Sequence, residues 1–358
     1  MWPDRRLIDL FKTEFPIVQA PMAGVMDAEL VIAAAQGGAL GSLPCAMLSA
    51  EKAREQVGLI RQRVKAPVNM NFFCHTPVDL TPEAEARWKQ RLAGYYREHG
   101  LDPAAPISAA NRAPFDAAFC EVVEELKPDV VSFHFGLPEE ELLKRVKAAG
   151  SLVISSATTV KEAVWLERHG ADAVIAQGAE AGGHRGMFLT DKIAEQPGTF
   201  ALVPQVADAV KVPVIAAGGI ADGRGIAAAF ALGASGVQIG SAYLRCPESK
   251  VSAAGRAALA EGRDDSTVIT NVMTGRPARG VQNRLMREAG PISPDAPPFP
   301  HAATALGPLK AAAEKQGRVD FTNLWAGQAI ALGRELPAAE LTRDLAKSAL
   351  ARMKALAG

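Results

Sequence analysis

The segment from Pro213 to Ala242, PVIAAGGIADGRGIAAAFALGASGVQIGSA, decides the fold. It holds two short apolar runs that each end in glycine, with the helix-period stretch DGRGIAAAFALG between them. Strands buried on both faces read as continuous apolar runs, and parallel neighbours need a crossover helix, so this is a βαβ unit. Working outward, the same unit recurs. PIVQAP (Pro16 to Pro21), GALGSLP (Gly38 to Pro44), PVNMNFF (Pro67 to Phe73), VVSFHFG (Val130 to Gly136), LVISSAT (Leu152 to Thr158) and AVIAQG (Ala173 to Gly178) precede it. Amphipathic stretches such as AELVIAAAQ, EKAREQVGLIRQ, EEELLKRVKAAG and TVKEAVWLERHG lie between these runs.

Eight strand runs with crossover helices predict an α/β fold of the (β/α)8 TIM barrel type. A doubly wound open sheet is the alternative, but its G-x-G-x-x-G turn is absent, because the first strand runs into PMAGVMD. Two segments break the repeat. Residues 74–115 form a polar insertion after the third strand, and residues 251–358 are too many for a last barrel helix alone. The reading therefore gives a barrel of residues 1–73 and 116–250, an insertion of 74–115, and a C-terminal helical region of 251–358 that includes the last barrel helix. Helices are expected around Thr304 to Gln316 and Phe321 to Leu332. Insertions after strands lie on the catalytic face of a barrel, so both segments are expected to cap the site.

The chain has 358 residues, of which 48% are hydrophobic and 22% charged, as in an ordinary globular protein. Lys+Arg and Asp+Glu are both 39, so no basic surface points to nucleic acid or an anionic membrane. No apolar run approaches the roughly 20 residues that cross a bilayer. The charged start MWPDRRLIDLFK does not fit a signal peptide, which makes the expected location cytoplasmic. Cys45, Cys74, Cys120 and Cys246 are widely spaced, so they are read as buried thiols, with neither a disulfide framework nor a metal site. A small-molecule substrate is the expected partner, and a homo-oligomer is left open.

In a barrel the active site gathers at the carboxyl ends of the strands. The first strand ends in Pro21, Met22 and Ala23, the third in Asn69 and Asn71, the fourth in His134 and the sixth in Gln177 and the loop GAEAGGHRG. The seventh ends in Gly218 and Gly219, and the eighth carries Gln238, Gly240 and Ser241. Glycine turns after the last two strands commonly hold a phosphate on backbone N–H groups and a helix N-terminus. That phosphate suits a sugar phosphate, pyridoxal phosphate or FMN. No strand end offers the lysine of a pyridoxal site, and the neutral amides of Asn71, Gln177 and Gln238 match the donor and acceptor edge of a flavin, so FMN fits best.

The motifs QAPMAG, PVNMNFF, SFHFGLP, ATTVKEA, QGAEAGGHRG, PVIAAGGI and GVQIGSAYL, in this order, resemble the nitronate monooxygenase family, once called 2-nitropropane dioxygenases. TGRPARGVQNRLMRE and the WAGQA at Trp325 resemble C-terminal elements of its bacterial class I members. The resemblance implies an FMN-containing TIM barrel that oxidises alkyl nitronates, such as propionate 3-nitronate, with O2 to a carbonyl product and nitrite without NAD(P)H. By matching motif it places Pro21, Met22 and Ala23 along the flavin, Asn71 and Gln177 at its ring, and Gly182, Gly219, Gln238, Gly240 and Ser241 at its ribityl and phosphate groups. It makes His184 the catalytic histidine.

Other candidates are weighed against plainer roles. His75, His99, His169 and His301 are read as structural or solvated, and His134 as a core or supporting residue. His184 is expected to be exposed by its glycines, to titrate near neutrality, and to hydrogen-bond the nitro oxygens or take an α-proton. Glu180 is read as a helix cap or the partner of Arg185. Tyr95 and Tyr96 are candidates for bordering the substrate, Tyr243 for packing, and Lys310 and Arg284 for attracting an anion. An NAD(P)H-dependent quinone or enoyl reductase is the rival reading, with a non-catalytic flavin- or metabolite-binding barrel as the third.

Overall fold

The structure, a computed structural model, describes residues 1–106 and 112–358. Residues 107–111 of the expected insertion lie outside the described residues. In chain order the chain forms α1 (Arg6–Phe11), β1 (Ile17–Gln19), α2 (Ala28–Gln36), β2 (Gly41–Pro44), α3 (Ala50–Arg63) and β3 (Val68–Phe73). Then come α4 (Pro82–Glu98), α5 (Ala117–Leu126), β4 (Val130–His134), α6 (Glu140–Ala148), β5 (Leu152–Ala157), α7 (Val160–Arg168) and β6 (Ala173–Gln177). The two-residue β7 (Gly183–His184) precedes α8 (Thr199–Ala209), β8 (Val214–Ala217), α9 (Gly223–Ala231) and β9 (Gly236–Ile239). The rest is α10 (Ala253–Ala260), β10 (Thr267–Thr270), β11 (Ala278–Val281), α11 (Arg284–Ala289), α12 (His301–Glu314) and α13 (Ala338–Leu356).

Eight strands pair in parallel in the order β1-β9-β8-β6-β5-β4-β3-β2. The two ends of this order meet at a parallel bridge between Val18 and Leu40. Two backbone hydrogen bonds, Leu40 N–H to the Ile17 carbonyl at 2.9 Å and Gln19 N–H to the Leu40 carbonyl at 3.0 Å, close the ring. This is the (β/α)8 barrel expected from the sequence. Local chemistry fits it: Asp27, Ser49, Asp116, Thr159 and Asp222 cap the helices that follow them, each accepting a first-turn N–H. The last barrel helix is α13, whose buried Leu341, Leu345 and Ala349 join the barrel core.

Between β9 and α13 the chain leaves the barrel. There β10 and β11 form a small antiparallel sheet that takes in β7 from the loop after β6. A second apolar cluster joins α4 of the insertion to this region through Trp88, Leu92, Tyr95, Tyr96, Leu306 and Leu309. Trp88 is fully buried and its Nε1–H donates to the Ala302 carbonyl at 3.2 Å.

The segment Phe321 to Leu332, expected as a helix, is irregular up to a 3-10 turn at Gln328–Leu332. Its backbone is committed elsewhere: the Leu324 carbonyl accepts from Val281 N–H at 2.9 Å, and Gln328 N–H donates to the Glu180 carbonyl at 3.0 Å. Those bonds displace the helical ladder. All four cysteines are free; Cys45, Cys120 and Cys246 are buried, and Cys74, just after β3, is partly buried. No helix among the described residues is long and apolar enough to cross a membrane.

Candidate functional site

The glycine-rich loop after β6 is built largely by packing protein on protein. A Cβ at Gly182 would stand 2.6 Å from the Ala326 carbonyl carbon and the Gly327 nitrogen, and one at Gly186 would stand 2.9 Å from His134 Cε1. Small size is required at both positions because other chain segments pass directly over them. Arg185, fully buried, ties the loop down by donating to the carbonyls of Gly178 (2.7 Å) and Gln177 (2.8 Å) and to Gln196 Oε1 (2.7 Å). Glu180 does not pair with Arg185. Its carboxylate accepts from Thr199 N–H and Thr199 Oγ1 at 2.8 and 2.9 Å, capping α8.

His184 emerges from this loop with its backbone fixed from three sides. It pairs with Ala278 across β7 and β11, and its carbonyl accepts from Gln177 Nε2 at 2.9 Å and His134 Nε2 at 3.0 Å. The Gln177 amide oxygen accepts from Gly186 N–H at 2.7 Å, so that side chain braces the loop with both of its ends. Because a carbonyl only accepts, His134 donates through Nε2 and its Nδ1 accepts from Ser156 Oγ at 3.1 Å. Burial holds His134 neutral, pushing it down to about 4.

The His184 imidazole is only 9% exposed, contrary to the expectation that its glycines would open it to solvent. Aromatic rings enclose it, with centroid distances of 6.1 Å to Phe73, 5.9 Å to Phe135, 5.3 Å to Phe299 and 5.4 Å to Trp325. Burial, followed by Arg112, His134, Arg276 and His75, holds it well below the usual imidazole range. It is a neutral base at neutral pH. The Arg276 guanidinium lies 3.9 Å from the centre of the Phe135 ring, and that of Arg112 lies 5.7 Å from the centre of the Phe299 ring. Arg276 also lines an open groove of about 500 Å3 with Met187 to Asp191.

The last two barrel strands present the second half of the site. β8 and β9 are neighbours, and Gly218 (φ +116°) and Gly219 (φ +69°) follow β8 in left-handed conformations. Among the described residues the N–H groups of Gly218, Gly219 and Gly240 make no backbone hydrogen bond. The expected contribution of the α9 N-terminus is reduced, because Asp222 already accepts from Arg224 N–H at 2.8 Å and Gly225 N–H at 3.4 Å. Ser241 Oγ accepts from Gly327 N–H at 2.8 Å, which fixes the hydroxyl and leaves its proton to donate. Gln238 Oε1 is enclosed without a partner.

Around the ring, Pro21, Met22 and Ala23 are half-buried after β1. Met22 Sδ lies 3.8 Å from the position a Cβ at Gly240 would take, which brings the ends of β1 and β9 together. Asn69 and Asn71 share one face of β3 and both donate to Ser132 Oγ at 2.9 Å, and Asn69 Oδ1 is left without a partner.

Several candidates fall elsewhere. Tyr95 and Tyr96 belong to the second apolar cluster, with the Tyr96 hydroxyl donating to the Ala305 carbonyl at 2.6 Å. Arg284 pairs with Glu98 and Glu288, and Lys310 with Glu314, on the outside. Tyr243 is core packing, hydrogen-bonded to Thr342 Oγ1 at 2.7 Å. His301 starts α12, while His75 is buried and edge-on to Phe299 at 4.8 Å, inside the aromatic cage rather than in solvent. Sequence reasoning passes over Phe135, Phe299, Arg112, Thr274 and Arg276. In the sequence only the TGRPARG motif, which holds Thr274 and Arg276, marks any of them. Among the described residues no group of three or more His, Cys, Asp or Glu is placed to hold a metal.

Known proteins resemble this chain over nearly its whole length. The family model described as nitronate monooxygenase matches residues 4–348. A nitronate monooxygenase of Pseudomonas aeruginosa is 43% identical over 344 residues, covering 95% of this chain and 97% of that protein. Among solved structures, nitroalkane oxidase from Streptomyces ansochromogenes superimposes with a TM-score of 0.89 at 37% identity, covering 98% of this chain and 99% of that one. FabK from Thermotoga maritima follows with a TM-score of 0.73 at 26% identity, covering 100% and 99%. The chain is an oxidoreductase, and it belongs to the nitronate monooxygenase family.

Proposed function

We propose that the chain uses FMN to oxidise alkyl nitronates, such as propionate 3-nitronate, with O2 to a carbonyl product and nitrite, and that NAD(P)H takes no part. The observation that carries this reading is the enclosure of a neutral imidazole, His184, by aromatic rings and two guanidinium groups. An anionic substrate is drawn to such a site, and the low polarity of its walls strengthens the attraction. The residues present fit FMN. The N–H groups of Gly218, Gly219 and Gly240, which make no backbone hydrogen bond, would be available to a phosphate, and the enclosed Gln238 Oε1 needs a donor that the protein does not supply. Pro21, Met22 and Ala23 would line the flavin, Asn71 and Gln177 would stand nearest its ring, and Gly182 and Ser241 would bound the phosphate side.

When bound, FMN would supply the redox chemistry between the nitronate and O2. The protein holds the substrate anion against Arg112 and Arg276 and excludes water with Phe73, Phe135, Phe299 and Trp325. Toward a neutral nitroalkane, His184 takes the α-proton. The test is to mix the yellow protein anaerobically with propionate 3-nitronate in one cell and with NADH in another. Rapid bleaching by the nitronate alone, with nitrite formed once O2 is admitted, is the expected result. Bleaching by NADH but not by the nitronate would replace this reading with a reductase.

A further inference from the structure

We infer that Thr274 fixes the working face of His184: its hydroxyl holds the imidazole as the Nε2–H tautomer, so that Nδ1 is the nitrogen that meets the substrate. This rests on the reading of His184 as the proton acceptor of the site. Thr274 is 1% exposed and comes from TGRPARG, a motif to which the barrel assigns no role. Its Oγ1 stands 2.9 Å from His184 Nε2 and 3.3 Å from the Arg276 carbonyl oxygen.

A threonine hydroxyl has one proton and two lone pairs, whereas a carbonyl oxygen only accepts. With the hydroxyl proton on the Arg276 carbonyl, Oγ1 presents a lone pair to His184, which must then donate from Nε2. The opposite assignment would put the ring proton on Nδ1. The only hydrogen bond of the His184 ring to the described residues runs through Nε2, so Nδ1 has no protein partner there. An N–H there would have no protein acceptor, and its positive hydrogen would be opposed by the guanidinium groups of Arg112 and Arg276 near the ring. A bare nitrogen lone pair suits that side of the ring.

The rest of the residue is immobilised independently of Thr274. Gln177 and His134 hold the His184 carbonyl, and Ala278 pairs with its backbone. Thr274 therefore acts on the ring alone. It is a positioning residue, and the identity of the accepting nitrogen depends on one hydroxyl.

Two measurements test this. In protein labelled with 15N-histidine, two-bond 15N–1H correlation spectra report which ring nitrogen of His184 carries the proton, with the signal identified by its loss in His184→Asn. The parent and Thr274→Ser should show the Nε2–H form, and Thr274→Val should lose that preference. In kinetics, Thr274→Val should lower kcat for nitroalkanes about tenfold, with nitronate turnover within about threefold of the parent. Thr274→Ser should restore both. An Nδ1–H signal in the parent would overturn the proposal, as would an equal loss on both substrates in a Thr274→Val protein that melts like the parent. The spectra do not depend on turnover, so a protein inactive on nitronates with an Nε2–H histidine would remove the proposed function and leave this assignment standing.

Discussion

A free histidine titrates near 6.5 and is partly charged in neutral solution. At His184, burial first and then Arg112, His134, Arg276 and His75 remove that charge and convert the ring into a base that is ready at ordinary pH. A consequence can be measured. Base catalysis needs the unprotonated ring, and the folded value is depressed, so nitroalkane turnover should stay level as pH falls through 6.5 and decline only in more acidic solution; a half-loss centred at pH 6.5 would contradict it. His184→Asn should keep the cofactor, because the glycine cradle does not involve the imidazole. It should lower kcat/KM for nitroalkanes by about 10^2-fold or more, the scale of losing a positioned proton acceptor. A loss under about threefold, less than about 1 kcal/mol, would make the histidine structural.

At the scale of elements, β8 and β9 each end in a glycine turn, and the two turns meet because parallel neighbours bring their carboxyl ends to one edge. That is why Gly218, Gly219, Gln238, Gly240 and Ser241 could be read together from the sequence. Each lies at a strand end, and the strand order follows from the repeat. The aromatic cage could not be read in this way. Phe299, Trp325 and Thr274 come from irregular segments whose path depends on how α4 and α12 pack, and no periodicity in the chain encodes that path. The misread segment Phe321 to Leu332 has the same cause, since its backbone groups serve β11 and the Glu180 loop. The turn itself can be tested. Gly219 has φ +69°, so Gly219→Val adds both strain and bulk at the cradle. The purified variant should come off the column colourless while keeping a cooperative melt; retention of a stoichiometric yellow cofactor would place the phosphate elsewhere.

For the molecule as a whole, the two largest of four apolar clusters divide the labour: one packs the barrel strands against their helices, and the other joins α4 to α12. Trp88 anchors the second, so Trp88→Ala should cost about 3–5 kcal/mol, the usual scale for emptying a buried aromatic site. The loss should be confined at first to the cap, visible as faster hydrogen exchange in α4 and α12 with the barrel strands still protected. Uniformly faster exchange would show that the two cores melt as one. The division of the barrel by the cap has a further consequence in time. The helix that covers α2 and α9, α13, comes after the whole cap region, and Gly37 and Gly223 are fitted closely to its Thr342 and Ser348. On the ribosome, eight strands and seven of their covering helices emerge before this one, leaving the faces of α2 and α9 that it covers bare until residues 338–356 arrive. Synthesis thus holds open a window in which nascent chains can stick to one another or recruit a chaperone, and its length is set by the time taken to translate the cap.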